Sequence, residues 1–116
     1  MEKHCFTLDL KDEPELINTY IKMHRPDTIW KEIPEGISKA GILEMEIFLW
    51  QNRLFMIIET EDGFDLARAM EYLSGLPLQK EWEETMEQYQ RKFVNTGNQA
   101  KWQKMHQIFR LSDCLI

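Results

Sequence analysis

Residues 42–60, ILEMEIFLWQNRLFMIIET, constrain the fold more than any other stretch of this chain. Two apolar-rich runs of alternating pattern flank Gln51-Asn52, which predicts a β-hairpin with a tight turn. One face of such a hairpin is wholly apolar, and we expect helices to cover it. This face consists of Leu43, Met45, Ile47, Leu49, Leu54, Met56 and Ile58. The opposite face is mixed and consists of Glu44, Glu46, Phe48, Phe55, Ile57 and Glu59. A mixed face of this kind suits the surface of a partner.

The other periodicities predict further strands and helices around this hairpin. Before the hairpin they are a strand at 4–10, a helix at 13–24 capped by Asp12, and a helical stretch at about 28–40 with a kink or fresh start at Pro34. After the hairpin they are a helix from an Asp62 cap to about Ser74, a helix from Pro77, a loop at 95–99 and a strand within 102–111. That order is the split βαβ pattern of ferredoxin-like α+β folds, whose antiparallel sheet carries helices on one face only. The bare face must be covered, most simply by a second copy, so we expect a dimer with a barrel-like body.

The length and composition fit a single globular domain over residues 1–116. With a net charge of −6, the chain lacks the excess of basic residues that nucleic acids and anionic membrane surfaces require. No apolar run approaches the roughly 20 residues of a membrane helix, and the N-terminus MEKHCFTLDL is unlike a signal peptide. We therefore expect a cytoplasmic protein with Cys5 and Cys114 as buried, reduced thiols. The histidines and cysteines show no metal-ligand spacing, which argues against a metal site.

The stretch NTYIKMHRPDTIW concentrates polar aromatic side chains. Tyr20 and His24 lie four residues apart on one face of a predicted helix, and Trp30 follows shortly after. Trp82 comes from a later helix that we expect on the same side of the sheet. Phenol, imidazole and indole suit the polar edges and apolar faces of a sugar, and imidazole titrates near neutrality, as acid–base chemistry requires. The same residues could equally form an ordinary helix end packed on a core, because a histidine in a last helical turn often only caps carbonyl groups.

Several short motifs occur together in a definite order along the chain. They are Y-x-x-x-H at Tyr20 and His24, I-W followed by Glu32, NRLFMIIETE at 52–61, the tryptophan of EWEETM at 81–86 and IFRL at 108–111. Their order and spacing resemble the L-rhamnose mutarotase family over nearly the whole chain. The resemblance implies a small, dimeric, ferredoxin-like isomerase that interconverts the anomers of 6-deoxy sugars by opening and reclosing the ring, without a cofactor or metal. It also implies His24 as the acid/base and Tyr20 as a contact to the sugar.

Three departures from that family bear on the identity of the sugar. The residues RPDT separate His24 from the I-W pair, where the rhamnose enzymes have a shorter link. Met45 stands where those enzymes have a sugar-contacting tyrosine, and Glu83 follows Trp82 where they have a second tryptophan. Met45 deletes a hydrogen-bond donor, whereas Glu83 adds an acceptor. We therefore expect L-fucose to be favoured over L-rhamnose, with Tyr20, Trp30, Met45, Trp82 and Glu83 in the substrate site.

Two other classes of protein are compatible with the expected fold. Dimeric ferredoxin-like chains include heme-degrading and quinone-forming monooxygenases, which would use a His, Trp or Asn in the same pocket. They also include non-catalytic ligand-binding modules and purely structural dimerisation modules. A heme titration and a sugar exchange measurement distinguish these alternatives from a mutarotase.

Overall fold

The computed structural model describes residues 1–91 and 101–115 and contains five strands and five helices in those ranges. The strands are β1 (Glu2–Leu10), β2 (Glu44–Trp50), β3 (Arg53–Thr60), β4 (Gln90–Arg91) and β5 (Gln103–Lys104). The helices are α1 (Pro14–Met23), α2 (Glu32–Lys39), α3 (Leu66–Ser74), α4 (Pro77–Met86) and α5 (Leu111–Cys114). No helix within the described ranges is long and apolar enough to cross a membrane.

The predicted hairpin forms and determines the register of the sheet. Gln51 and Asn52 make a two-residue turn, and Leu49 pairs with Leu54, so the division of the hairpin into its two predicted faces is correct. β3 continues antiparallel to β1, and the strand order β2-β3-β1-β4 is that of a ferredoxin-like sheet. β4 and β5 both pair with β1, along the same edge. The predicted α+β fold with an antiparallel sheet is confirmed.

The helices cover the middle of the sheet and leave the edge strand β2 largely open. On the helix side, Leu8 of β1 and Leu54 and Ile58 of β3 are at most 2% exposed. Ile47 lies on the same face but on β2, and it is 37% exposed. The prediction that helices cover the whole apolar face is therefore wrong at β2, because the helices pack over the two central strands. An apolar strip of β2 faces α2 across a gap.

The helix predicted at about 28–40 begins later, at Glu32. Residues 24–31 form turns and irregular structure instead. Pro34 lies in the first turn of α2, where a backbone N–H has no intrahelical partner, so the proline marks a fresh start and not a kink. The predicted stop at Gly41 is correct, because its φ of 100° suits glycine and a side chain there would collide with Phe64.

The predicted N-caps of two helices are wrong. Asp65, and not Asp62, caps α3, since its carboxylate accepts a hydrogen bond from the Arg68 N–H at 3.1 Å. Asp62 lies outside the helix and pairs with the N-terminal ammonium group at 2.9 Å. At α1 the cap is Glu13 instead of Asp12, without a side-chain cap bond. In both cases the path of the preceding loop, and not residue type, decides which residue begins the helix.

The strand predicted within 102–111 is mostly absent. Within that range only Gln103–Lys104 (β5) forms a strand, which pairs with β1, and the chain then leaves the sheet before α5. Ile108 and Phe109 in this C-terminal segment are 92% and 67% exposed. Beyond Lys104 the segment does not extend the sheet, and these two apolar side chains stay exposed.

Cys5 and Cys114 are both free thiols. Cys5 is half-buried in β1, whereas Cys114 is exposed, so the prediction that both are buried is wrong. The apolar spacing of the helix predicted from Pro77 continues through Tyr89 to Phe93, but α4 ends at Met86. Phe93 and the predicted loop at 95–99 lie outside the described residues.

Candidate active site

The C-terminal end of α1 holds the imidazole of His24 in a fixed orientation. A helix end leaves its last carbonyl groups without intrahelical partners. The His24 Nδ1–H donates to one of them, the Tyr20 carbonyl oxygen, at 2.6 Å. Because a carbonyl oxygen can only accept, Nδ1 carries the proton, and Nε2 of the neutral ring keeps a free lone pair. The ring is therefore set up as a proton acceptor at Nε2.

Partial burial tunes the acid–base equilibrium of His24. Desolvation lowers the pKa of His24 below its usual value of 6.5, and the bond to the Tyr20 carbonyl, which favours the protonated ring, offsets part of this effect. The imidazole is consequently neutral at pH 7. A neutral imidazole with a free Nε2 can take a proton from a hydroxyl group and later return it.

Two indoles pack edge-on near this imidazole. The Trp82 ring centroid lies 5.3 Å from that of His24, with the planes at 71°. The Trp30 ring centroid lies 5.1 Å from that of Trp82, with the planes at 73°. T-shaped contacts of this kind restrict ring orientation in addition to burying apolar area. The structure thus brings His24 and Trp30, from the turns at 24–31, together with Trp82 of α4.

A cavity of about 410 Å³ lies beside His24, between α2 and β2. Its volume is within the range of small-molecule sites. The residues that line it include His24, Trp82, Ile33, Ile37, Ser38, Glu44, Met45 and Ile47. Of the residues predicted for the site, His24, Met45 and Trp82 line this cavity, whereas Tyr20, Trp30 and Glu83 are outside its lining.

Tyr20 lies next to the imidazole and is almost fully buried. Its ring centroid is 4.2 Å from that of His24, and the residue is 4% exposed. Burial raises the pKa of Tyr20 well above its usual value; the Gln90 side chain opposes this shift, and the Glu83 carboxylate adds to it. The phenol is therefore neutral at any physiological pH and keeps its proton as a hydrogen-bond donor.

Gln90 is a buried polar neighbour of Tyr20 that the sequence reasoning missed. It is 7% exposed, and its carboxamide acts on the phenol as a hydrogen-bond donor. Its Oε1 is buried and has no hydrogen-bond partner in the part of the chain that the structure describes. β4 is only two residues long, so no periodicity in the sequence signals that Gln90 points into the core.

Glu83 is engaged by other side chains of this protein. Its Oε1 accepts a hydrogen bond from Gln79 Nε2 at 2.9 Å. Lys101 Nζ donates to the Glu83 main-chain carbonyl at 3.0 Å and lies 3.8 Å from the carboxylate Oε2. The same Lys101 pairs with Glu87 at 2.9 Å. The carboxylate thus belongs to a polar network on α4.

Ser38 and Glu44 line the cavity and were not predicted for the site. Ser38 is an exposed residue of α2, and nothing in its sequence context distinguishes it from other surface serines. Glu44 was assigned to the opposite face of the hairpin by strand alternation. Their position at the cavity follows from how α2 packs relative to β2, which no local pattern encodes.

Comparison with known proteins identifies relatives of the whole chain. The family model described as L-rhamnose mutarotase matches residues 3–111. The chain is 33% identical to an L-fucose mutarotase of Xanthomonas campestris pv. campestris over 115 residues, which cover 99% of this chain and 92% of the relative. It is 30% identical to an L-rhamnose mutarotase of Flavobacterium johnsoniae over 111 residues, which cover 94% of each chain.

Two solved structures are similar in fold. The crystal structure of an L-rhamnose mutarotase from Formosa agariphila has a TM-score of 0.68 at 20% identity and covers 95% of this chain and 98% of that one. Tetracenomycin F2 cyclase from Streptomyces glaucescens, a type-II polyketide cyclase, has a TM-score of 0.63 at 18% identity and covers 95% and 96%. At these identities the two likenesses establish the fold alone. The family model, by contrast, spans nearly the whole chain, and so do the alignments to the two mutarotase relatives. This protein therefore belongs to the L-rhamnose mutarotase family.

Proposed function

We propose that this protein interconverts the α and β anomers of a 6-deoxy-L-hexose, L-fucose in preference to L-rhamnose, with His24 as the acid/base. Mutarotases are isomerases, and family membership supports a carbohydrate isomerase. One observation carries the proposal: a neutral imidazole of fixed tautomer lines a cavity large enough for a monosaccharide. The proposed reaction uses no cofactor or metal.

Mutarotation breaks one C–O bond and reforms it. Nε2 of His24 takes the proton of the anomeric hydroxyl while the bond between C1 and the ring oxygen breaks, and the ring oxygen takes a proton from solvent. The open-chain aldehyde turns its other face to the former ring oxygen, which attacks C1 and releases its proton to solvent. The imidazolium returns its proton to the new anomeric oxygen. Positioned acid–base groups accelerate such reactions by about 10²–10⁴-fold.

The surrounding residues support the proposed site in different ways. Trp82 lines the cavity and offers an apolar face to the C–H groups or the methyl group of a 6-deoxy sugar. We retain Tyr20, Trp30 and Glu83 as proposed site residues. Tyr20 packs against His24, Trp30 packs against Trp82, and Glu83 follows Trp82 on α4, so each acts next to a residue of the cavity lining.

The proposed preference for L-fucose rests mainly on Met45, which lines the cavity. A thioether offers no hydrogen-bond donor where a phenol would offer one. L-fucose and L-rhamnose present different hydroxyl groups axially, so the loss of one donor leaves different hydroxyls unpaired in the two sugars. An unpaired buried polar group costs about 1–3 kcal/mol, which is enough for a tenfold difference in affinity.

A homodimer in the cytoplasm is part of the same proposal. Phe48 is 51% exposed on the face of the sheet that lacks helices, beside the half-buried Phe55 and Ile57. The C-terminal segment adds the exposed Ile108 and Phe109. A second copy of the chain would bury this apolar surface, which is costly to leave in water.

Exchange spectroscopy of the anomeric protons tests the proposed activity. With L-fucose and L-rhamnose at equal concentration, the protein should transfer saturation between the α and β signals faster than buffer does, and faster for L-fucose. Exchange no faster than in buffer for either sugar would exclude the activity, and faster exchange of L-rhamnose would reverse the proposed preference. A heme titration is the complementary control, because the monooxygenase alternative predicts a shift of the Soret band.

A further inference from the structure

The cavity beside His24 offers few polar partners to a sugar. Besides His24 and Trp82, the polar residues among the described residues of its lining are Ser38 and Glu44. A hexose brings several hydroxyl groups, each of which costs about 1–3 kcal/mol if it is buried without a partner. The selection of the sugar therefore depends on where these few groups lie.

The carboxylate of Glu44 is held at the sheet edge that borders the cavity. β2 is an outer strand, and along such a strand alternate residues point their N–H groups away from the neighbouring strand. The Met45 N–H donates to Glu44 Oε1 at 3.0 Å. This bond keeps the carboxylate beside Met45, which also lines the cavity, although alternation alone would assign Glu44 to the opposite face.

Glu44 is free of ion pairs within residues 1–91 and 101–115. Glu59, its cross-strand neighbour, pairs with Lys3 at 3.8 Å, and Glu83 lies 3.8 Å from Lys101. Glu44 Oε1 holds the Met45 N–H, which leaves further acceptor capacity on both carboxylate oxygens. Because a carboxylate accepts and does not donate, it is suited to bind the protons of hydroxyl groups.

We infer that Glu44 is a specificity-determining residue, whose carboxylate accepts hydrogen bonds from hydroxyl groups of the sugar in the cavity beside His24. The inference rests on the proposed mutarotase function and adds a recognition group to it. An acceptor fixed at one wall of the cavity distinguishes sugars by the orientation of the hydroxyl that faces it. L-fucose and L-rhamnose differ in which of their hydroxyl groups are axial.

Three matched glutamate-to-glutamine variants test this inference. Glu44→Gln retains an oxygen that can accept the Met45 N–H and replaces one acceptor oxygen by an amide donor. Glu46→Gln makes the same change on the same strand, at an exposed residue outside the cavity lining. Glu83→Gln makes it in the polar network on α4. Exchange spectroscopy over a concentration series with L-fucose and with L-rhamnose gives kcat and KM for each variant.

We expect Glu44→Gln to raise KM for L-fucose about tenfold, with a smaller change for L-rhamnose, because a hydrogen bond to a charged group is lost. Glu46→Gln should match the wild type for both sugars. The inference is overturned if the Glu44 and Glu46 variants have the same kcat and KM, or if Glu44→Gln raises KM equally for both sugars. It is also overturned if only Glu83→Gln changes the ratio of the KM values for the two sugars. Each of these outcomes leaves the mutarotase activity in place, whereas a wild-type protein without catalysed exchange overturns both proposals.

Discussion

The hydrogen bond from His24 Nδ1 to the Tyr20 carbonyl shows how much one helix end can do at the scale of single residues. The spacing of four residues and the end of α1 are sufficient to fix the tautomer of the imidazole. The indoles beside it come from other elements, so its environment depends on tertiary packing.

Replacing His24 with alanine should remove most of the catalysed exchange between anomers, a loss of about 10²–10⁴-fold. The protein should remain folded, because His24 is a half-buried C-cap residue and not part of the buried core. Exchange spectroscopy measures the rate, and circular dichroism checks the fold. His106→Ala is the matched control, since that histidine is exposed and outside the cavity lining. Equal exchange in the wild type and in His24→Ala would remove His24 from the mechanism.

The pH profile should carry the signature of the lowered pKa of His24. Catalysis by neutral imidazole should persist below pH 6.5 and decline only as the pH falls through the lowered pKa. The free energy of unfolding should also fall as the pH falls from 6.5 through the lowered pKa, because the unfolded chain binds this proton more readily than the folded protein. His24→Gln should remove this component of the pH dependence in urea unfolding. An acid limb of kcat/KM centred above 6.5 would contradict the assignment.

The interaction between the buried Tyr20 and Gln90 should contribute to the free energy of unfolding. Tyr20→Phe leaves the Gln90 carboxamide, whose Oε1 is already unpaired, without its phenol, and should lower the free energy of unfolding by about 1–3 kcal/mol. Adding Gln90→Leu removes the second polar group and should recover most of that loss. Urea unfolding of the two single variants and the double variant measures the coupling. Strictly additive effects would show that the two side chains do not interact.

At the scale of secondary-structure elements, β2 creates the cavity because it is the strand that the helices leave open. At the outer edge of β2, the Met45 N–H donates a hydrogen bond to the Glu44 carboxylate. α2 forms the opposite wall, and its position follows from turns at 24–31 and from Gly41. The site is thus built at the margin of the core, and no residue of α3 is part of its described lining.

The cap of α3 offers a direct test of the observed helix boundary. Asp65→Ala should lower the free energy of unfolding by about 1 kcal/mol, because the Arg68 N–H loses its acceptor. Asp62→Ala, at the predicted but incorrect cap, should change it by less than about half as much, since it removes only an exposed ion pair with the N-terminus. Urea unfolding compares the two variants. A larger effect at Asp62 would place the start of the helix where the sequence alone put it.

At the scale of the whole molecule, the two faces of the sheet have different environments. One face is buried under the helices at its two central strands, whereas the other combines acidic residues with Phe48, Phe55 and Ile57. The exposed C-terminal segment adds more apolar surface. A single copy of this chain leaves that surface in water, which is why we expect two copies to associate.

Phe48→Glu should convert the proposed dimer into a monomer, because it places a charge in the apolar part of the interface. Tyr72→Glu is a matched control, since Tyr72 is 52% exposed on α3 and Phe48 is 51% exposed on the sheet. Sedimentation at micromolar concentration should give a dimer for the wild type and for Tyr72→Glu. A wild-type protein that sediments strictly as a monomer would contradict the assembly.

Patterns of two and four residues determined much of this protein. Alternation over residues 42–60 predicted the hairpin and both of its faces, because a two-residue turn leaves only one register. The spacing of Tyr20 and His24 predicted that the two rings meet, since residues four apart share one helix face. The element order predicted the ferredoxin-like sheet. The first two patterns lie in residues that are close together in the chain, and the third lies in the order of the elements along it.

Tertiary structure alone decided that Ser38 and Glu44 line the cavity and that Glu83 does not. Glu44 reaches it around an open strand edge, Ser38 reaches it from α2, and Glu83 is instead engaged by Gln79 and Lys101. These positions depend on how far α2 stands from β2 and on contacts between residues distant in the chain. Local periodicity carries no information about such distances, because it specifies the face of an element and not the element that this face meets.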